Sequence, residues 1–172
     1  MIWRVFRRTS KTPQADSWWR DAEEAAQAPT ASALDALHAR VTRASDDLDE
    51  AERQEEMIDG LRQMLAVADT PELPVVVTQH RVIGADACYF VAPVSLAGDV
   101  AAPGKLFVTA NRLIFASGKV QAWPWHRVQE IVRAGRSLAV VLNGGSDGVR
   151  LQCNTYGDAL VVWHLAQRLR KR

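Results

Sequence analysis

The chain has 172 residues, 48% of them hydrophobic and 24% charged, with a formal net charge of +1 at pH 7. These are globular averages, so they predict a folded core and exclude a disordered chain. No apolar run approaches the roughly 20 residues that a membrane-spanning helix needs. The two cysteines, Cys88 and Cys153, are too few for a disulfide framework, and the N-terminus lacks the apolar stretch of a secretory signal. We therefore expect a cytoplasmic protein with reduced thiols.

The charge is divided unevenly along the chain. Residues 1–72 hold 9 Lys/Arg against 15 Asp/Glu, a net charge of −6, whereas residues 73–172 hold 12 against 5, a net charge of +7. This asymmetry predicts two segments with different roles that attract each other.

Residues 1–15 form a basic tail with interleaved aromatic side chains; the members we single out are Trp3, Arg4, Phe6, Arg7 and Arg8. Aromatic rings favour the membrane interface, and arginines favour anionic lipid. The tail is therefore a candidate membrane-interface segment, which would place the protein peripherally at the inner membrane face. The alternative is an ordinary chain start that is disordered or packs on the core.

Residues 16–70 carry helix signals throughout and predict a helical arm. A first helix begins near Asp16 or Ser17 and is broken by Pro29. The following run has no Gly or Pro until Gly60, and its apolar residues recur at alternating spacings of three and four, which is typical of a coiled coil or a helical hairpin. These seam residues are Leu34, Leu37, Val41, Ala44, Leu48 and Ala51.

The seam changes register at Glu55, which leaves two arrangements open. One is a single long helix over residues 31–68, which we prefer; the other is a hairpin of two helices, with Ser45 capping the second. The seam then either forms a homodimer or packs within the chain.

Residues 73–172 change in character after the Pro71 and Pro74 boundary. Short β-rich runs are separated by Gly, Asn and Asp turn signals, and the last run is followed by a helical pattern that Thr155 caps. The β-rich runs are 75–78, 88–94, 105–109, 112–116, 120–125, 128–132, 138–142 and 149–153. This order predicts about seven antiparallel strands closed by one C-terminal helix.

Two stretches make the β-region recognisable. Residues 104–115, GKLFVTANRLIF, and residues 123–131, WPWHRVQEI, resemble the GRAM branch of the PH-like domain superfamily and its bacterial PH-type members. The resemblance covers about residues 73–172 and implies a PH/GRAM-like seven-stranded antiparallel barrel closed by a C-terminal helix. Together with the α-helical arm or hairpin that precedes it, which resembles no family, this gives an α+β fold class. The resemblance also implies a non-enzymatic scaffold. Within this pattern Asn111 suits a left-handed turn, and Trp163 is expected to plug the open end of the barrel.

No catalytic residue, metal site or cofactor is predicted. The four histidines and two cysteines lack metal-ligand spacing, and zinc held by His80, Cys88 and Cys153 is a weak alternative. Neither a Gly-x-Ser-x-Gly motif nor a phosphate-binding glycine loop occurs.

Four basic residues are candidates for binding an anionic partner or lipid: Arg81, Lys105, Arg112 and Lys119. They lie near strand ends that we expect to gather in one region. An acidic peptide, a membrane surface or the chain's own acidic helices would satisfy them, and in the last case the arm would act as a gate over Lys105 and Arg112. The family's inositol-phosphate binders carry a basic cluster on the first hairpin, whereas residues 80–87 hold one Arg and one Asp. We expect no nucleic acid partner, since the positive charge is modest.

The sequence thus predicts a non-enzymatic binding or adaptor module that engages a protein partner, with the arm mediating self-association or regulation. The alternative is a peripheral membrane module that binds anionic lipid through the tail and the basic β-face.

Overall fold

The computed structural model describes residues 13–44, 48–68, 70–97, 102–144 and 148–171. The N-terminal arm consists of three helices: α1 (Pro13–Gln27), α2 (Ala31–Ala44) and α3 (Leu48–Ala68). Among the described residues, no helix combines the length and the hydropathy that crossing a membrane would require. The basic tail residues Trp3, Arg4, Phe6, Arg7 and Arg8 lie outside the described part of the chain.

The arm is a bundle in which α2 and α3 are separate helices. His38 of α2 lies 3.4 Å from Glu55 of α3, a contact that requires the chain to fold back on itself. The single long helix preferred above is therefore wrong, and the hairpin is correct. The physical reason is burial: the seam residues Leu34, Leu37 and Val41 are 3–6% exposed and pack into one cluster with α3 of the same chain. The predicted Ser45 cap falls outside the described residues.

Seven antiparallel strands follow the arm. They are β1 (Cys88–Leu96), β2 (Ala102–Thr109), β3 (Arg112–Ala116), β4 (Val120–Pro124), β5 (Val128–Ala134), β6 (Ser137–Leu142) and β7 (Val149–Cys153), and helix α4 (Tyr156–Leu169) ends the domain. The order across the sheet is β4-β3-β2-β1-β7-β6-β5. An arm of helices, seven antiparallel strands and a C-terminal helix confirm the predicted PH-like fold class.

The barrel is not closed by hydrogen bonds. In the described sheet β4 and β5 are its two edges, and a single turn of 3-10 helix, Trp125–Arg127, carries the chain from one to the other. Helix α4 covers the curled sheet, and its first turn is capped by Thr155, whose hydroxyl accepts a hydrogen bond from the Asp158 amide over 2.9 Å.

The core lies between the sheet and α4. Leu106 pairs with Phe115 and Val108 with Leu113, and all four are fully buried. Gly104 is required at the start of this hairpin, because a Cβ there would lie 2.5 Å from the Ala116 carbonyl oxygen. Trp123, Val128 and Ile131 also join the core.

Three local expectations are corrected. Residues 75–78 are not a strand, since Val76 makes one backbone hydrogen bond, to Cys88. Asn111 does not adopt a positive φ; instead its side-chain amide donates to Asp86 over 2.6 Å. Trp163 does not plug the barrel: it is half-buried between the β-core and the helical cluster.

Helix α4 joins the two parts of the molecule. Its buried Leu160 belongs to the helical cluster, while Leu165 and Leu169 belong to the β-core. Helices α3 and α4 cross at Gly60 and Gly157, where a Cβ added to Gly60 would lie 2.5 Å from the Gly157 Cα. Two glycines therefore permit a backbone-to-backbone contact that no larger residue allows.

Candidate functional site

An apolar cleft opens where the arm, the linker and the β-domain meet. Its volume is about 240 Å³. The lining residues come from four parts of the chain: Gln63, Ala66 and Val67 of α3, Pro74 of the linker, Tyr89 and Phe90 of β1, and Val161 and Leu165 of α4. Almost all of these are apolar, and only Gln63 and Tyr89 supply side-chain polar atoms. Such a cleft accepts one apolar side chain of a ligand and offers little to a charged group.

The walls of this cleft are held in place by Arg168 of α4. Its guanidinium donates to the carbonyl oxygens of Val67, Thr70 and Pro71 over 2.7–3.0 Å. Carbonyls at the end of a helix have no partner within it, so a cation there satisfies them and complements the helix dipole. Arg168 thus fixes the end of α3 and the start of the linker against α4.

The four predicted basic residues are brought together in two pairs at opposite ends of β3. Lys105 pairs across the strands with Ala116, close to the β3–β4 turn that carries Lys119. Arg112 begins β3 at the other end, about 13 Å away at 3.3 Å per residue. The expectation that all four gather in one region is therefore not met.

The two pairs also differ in availability. Lys105 and Lys119 are exposed, and neither makes an ion pair with the described residues. Arg112 is committed to Asp86, at 2.8 Å from its Nε, and also donates to the Ile83 carbonyl. Its role is to pin the turn at residues 81–86 onto the β2–β3 hairpin. Arg81 lies on that turn and is exposed.

The acidic arm does dock on the basic β-domain, but through other residues. Glu56 of α3 accepts hydrogen bonds from Arg136 over 3.0 Å and from the Tyr156 amide over 3.3 Å. Arg133 pairs with Glu23 of α1 and lies 5.9 Å from the Trp163 ring centroid. A gate over Lys105 and Arg112 is therefore wrong; the contacts with the arm fall on β5, on the β5–β6 turn and on α4.

The thiols and histidines form no cluster. Cys88 lies in a small cluster on the outer sheet face with Phe107 and Ile114, whereas Cys153 lies in the main core. Burial raises the pKa of the Cys88 thiol, and burial with the charge of Asp158 raises the pKa of Cys153 to about 12. Both thiols are therefore protonated and inert at neutral pH. Among the described residues, no group of three His, Cys, Asp or Glu could hold a metal ion.

The sequence did not reveal the cleft or the docking residues. Each belongs to a different element, and their proximity follows from how α3 crosses α4. One signal was present: Arg133 and Arg136 flank the Gly135 turn, within the half that carries the net charge of +7.

Comparisons with known proteins find distant similarity to solved structures. No protein-family model matches the chain, and no curated protein matches it. The DH/PH domain of human ARHGEF11, solved in a ternary complex with human RhoA and its inhibitor, is 8% identical with a TM-score of 0.47, and covers 91% of this chain and 54% of that chain. This chain therefore spans about half of that structure's length.

Two further solved structures are similar over shorter stretches. The C-terminal domain of an unknown protein from Leishmania infantum is 14% identical with a TM-score of 0.38, over 41% of this chain and 73% of that chain. Inner membrane complex sub-compartment protein 1 from Toxoplasma gondii is 13% identical with a TM-score of 0.40, over 60% of this chain and 100% of that chain. The fold assignment rests on the strand order described above, and the functional argument on this chain's own side chains.

Proposed function

We propose that this protein is a non-catalytic adaptor that binds a protein partner in the apolar cleft between α3 and the β-domain. The cleft is the observation that carries the proposal, since its lining suits an apolar anchor residue of a peptide or protein. The arm supplies one wall, so any shift of α3 relative to α4 changes the site. The arm therefore acts as a regulator of binding.

Self-association through the arm is not part of this proposal. The seam residues Leu34, Leu37 and Val41 are already buried inside the chain's own helical cluster. They are not available to a second arm unless the bundle opens.

A selection from a random peptide library displayed on phage tests the proposal. The full chain is the bait, and the variant Ala66→Trp is the counter-selection target, because Ala66 lies on the exposed rim and an indole there fills the cleft. We expect enriched peptides to share one aromatic or branched aliphatic residue and to lose at least about tenfold in affinity for Ala66→Trp. The matched control, Lys105→Glu with Lys119→Glu, keeps the affinity. Enrichment of peptides that bind Ala66→Trp equally well contradicts the proposal.

A second candidate function is peripheral binding to anionic lipid. The observation that favours it is the exposed pair Lys105 and Lys119 at one end of the β-domain, without ion-pair partners among the described residues. Co-sedimentation with phosphatidylserine vesicles at low and high salt tests it. The membrane function is supported if the protein pellets with the vesicles at low salt, and if both high salt and the double variant Lys105→Glu with Lys119→Glu abolish this pelleting. Failure to pellet at low salt rejects it.

A further inference from the structure

An irregularity in β1 shapes one wall of the cleft. Cys88 and Phe90 of β1 pair with the consecutive β2 residues Thr109 and Val108, which leaves Tyr89 as an extra residue between them. An extra residue of this kind is a β-bulge, and it breaks the alternation of side chains between the two faces of a strand. Tyr89 and Phe90 accordingly both pack against the main core, whereas Cys88 packs in the outer cluster. The bulge therefore turns two consecutive aromatic residues toward the cleft, which both of them line.

The cleft has the size and the charge for a neutral aromatic ring. An engineered cavity of about 150 Å³ binds benzene, so about 240 Å³ is enough for the two fused rings of an indole. The rings of Tyr89 and Phe90 attract another aromatic ring beyond the contact area alone, and an aliphatic side chain lacks this attraction. None of the eight lining residues is Asp, Glu, Lys, Arg or His, so the cleft offers no counter-charge to an ionised side chain.

Polar atoms in the cleft distinguish one aromatic side chain from another. Apart from the Tyr89 hydroxyl, the side-chain amide of Gln63 is the polar group of the lining side chains. Gln63 is exposed at the rim and has no hydrogen-bond partner among the described residues. A ring that lies against Tyr89 and Phe90 turns its edge toward the remaining walls, where the amide oxygen of Gln63 accepts a hydrogen bond from an N–H donor. An indole carries such a donor on its edge, and a phenyl ring carries none.

We propose that Gln63 and Tyr89 are specificity-determining residues, which make the cleft a site for a tryptophan side chain of the protein partner. The inference rests on the proposed function, because it names the residue that the cleft accepts. The bulge supplies the aromatic wall through Tyr89, and Gln63 supplies the acceptor for the indole N–H. A tyrosine side chain also has an O–H donor, but its single ring fills less of the cleft and loses contacts with the walls.

Titration of the full chain with small amide probes, followed by NMR of the backbone amides, tests this inference. The probe is N-acetyltryptophanamide. The comparison compounds are N-acetyl-1-methyltryptophanamide, which lacks the indole N–H, N-acetyltyrosinamide and N-acetylleucinamide. We expect the probe to shift the signals of Tyr89, Phe90 and Leu165, and to bind at least about fivefold more tightly than each comparison compound, as the loss of one neutral hydrogen bond predicts. Ala66→Trp, which fills the cleft, should abolish these shifts.

Variants of the two residues separate the hydrogen bond from the ring contact. Gln63→Leu should weaken the probe about fivefold and leave the 1-methyl compound unchanged, so that the two then bind alike. Gln129→Leu, at an exposed glutamine of β5, is the matched control and should change neither affinity. Tyr89→Leu should weaken both compounds, whereas Tyr89→Phe keeps the ring and should leave both affinities unchanged. The NMR spectrum of each variant also shows whether it is folded.

Three results would overturn the tryptophan site: no binding of N-acetyltryptophanamide, equally tight binding of the leucine compound, or equal weakening of both tryptophan compounds by Gln63→Leu. The peptide selection decides the proposed function separately. Selected peptides that have an aliphatic anchor and lose affinity for Ala66→Trp would uphold the adaptor function and reject the tryptophan site.

Discussion

His164 is a half-buried residue of α4 whose Nε2 atom is buried without a hydrogen-bond partner in the described structure. Burial lowers the pKa of its imidazole from the usual 6.5, and the nearby charge of Arg168 lowers it further. The folded protein therefore holds His164 neutral at a pH where the unfolded chain already binds a proton.

We predict that this histidine makes the protein less stable in mild acid. A group whose pKa is lowered on folding contributes its full stability above the unfolded pKa of 6.5 and loses it as the pH falls below that value. Urea unfolding at pH 7.5 and pH 5.5 should show a loss of stability that is smaller in His164→Gln. Equal losses in both proteins would contradict the assignment. Asp158 does not produce the same effect, because burial raises its pKa and its protonation therefore favours the folded state.

At the residue scale, the sequence showed which side chains are charged, but not which of them are paired within the folded chain. Arg112 was a candidate for binding a partner, yet it is taken by Asp86, which lies 26 residues earlier in the chain. Lys105 has the same formal charge and remains exposed. No local pattern distinguishes the two, because the difference is decided by which loop the fold brings back against β3.

At the scale of elements, α3 and α4 cross with their backbones in close contact at Gly60 and Gly157. An added Cβ at Gly60 would lie 2.5 Å from Gly157 Cα, and one at Gly157 would lie 2.9 Å from the Glu56 carbonyl oxygen. Backbone atoms cannot move aside as a flexible side chain can. The crossing therefore sets the distance between the two helices.

We predict that Gly60→Ala destabilises the protein, although Ala is the better helix former by about 1 kcal/mol. The new methyl group must push the helices apart, and overpacking of this kind costs about 1–3 kcal/mol. Thermal unfolding measures the net loss. Gly118→Ala is the control, because its added Cβ meets no atom within 4 Å. A Gly60→Ala protein as stable as wild type would show that the helices separate freely.

The elements themselves were largely predictable. Short β-rich runs between turn signals predicted all seven strands, and Thr155 marked the start of α4, because these signals are local. The hairpin of α2 and α3 was not predictable, because the same spacing of apolar residues is compatible with one long helix and with a hairpin of two helices. The run at residues 75–78 has the composition of a strand but lacks a neighbour along most of its length.

At the scale of the whole molecule, the arm and the β-domain form one body held by charge as well as packing. Arg136 bonds Glu56 at 3.0 Å and lies 4.9 Å from the Tyr156 ring centroid. Glu56 also accepts the Tyr156 amide at the start of α4, where a negative charge is favourable. One carboxylate thus links α3, the β5–β6 turn and α4.

We predict that Arg136→Glu loosens the arm, because it sets two carboxylates against each other at a partly buried contact. Removing one partner of such a pair costs about 1–3 kcal/mol. Amide hydrogen exchange over residues 48–68 should become faster, and adding Glu56→Arg should slow it again by restoring the pair. Lys105→Glu is the control and should leave exchange in α3 unchanged. Equal acceleration by Lys105→Glu would reinstate the gate that the contacts argue against.

The sharing of α4 between two cores has a practical consequence for anyone who dissects this protein. A fragment that starts at residue 73 keeps every strand, and a domain boundary drawn from the sequence would recommend it. It would nevertheless expose Leu160 and one side of Trp163 to water, because their packing partners lie in α1 to α3. Such a fragment should aggregate on purification. That aggregation would not show that the strands are unable to fold. Expression boundaries should therefore retain residues 13–68.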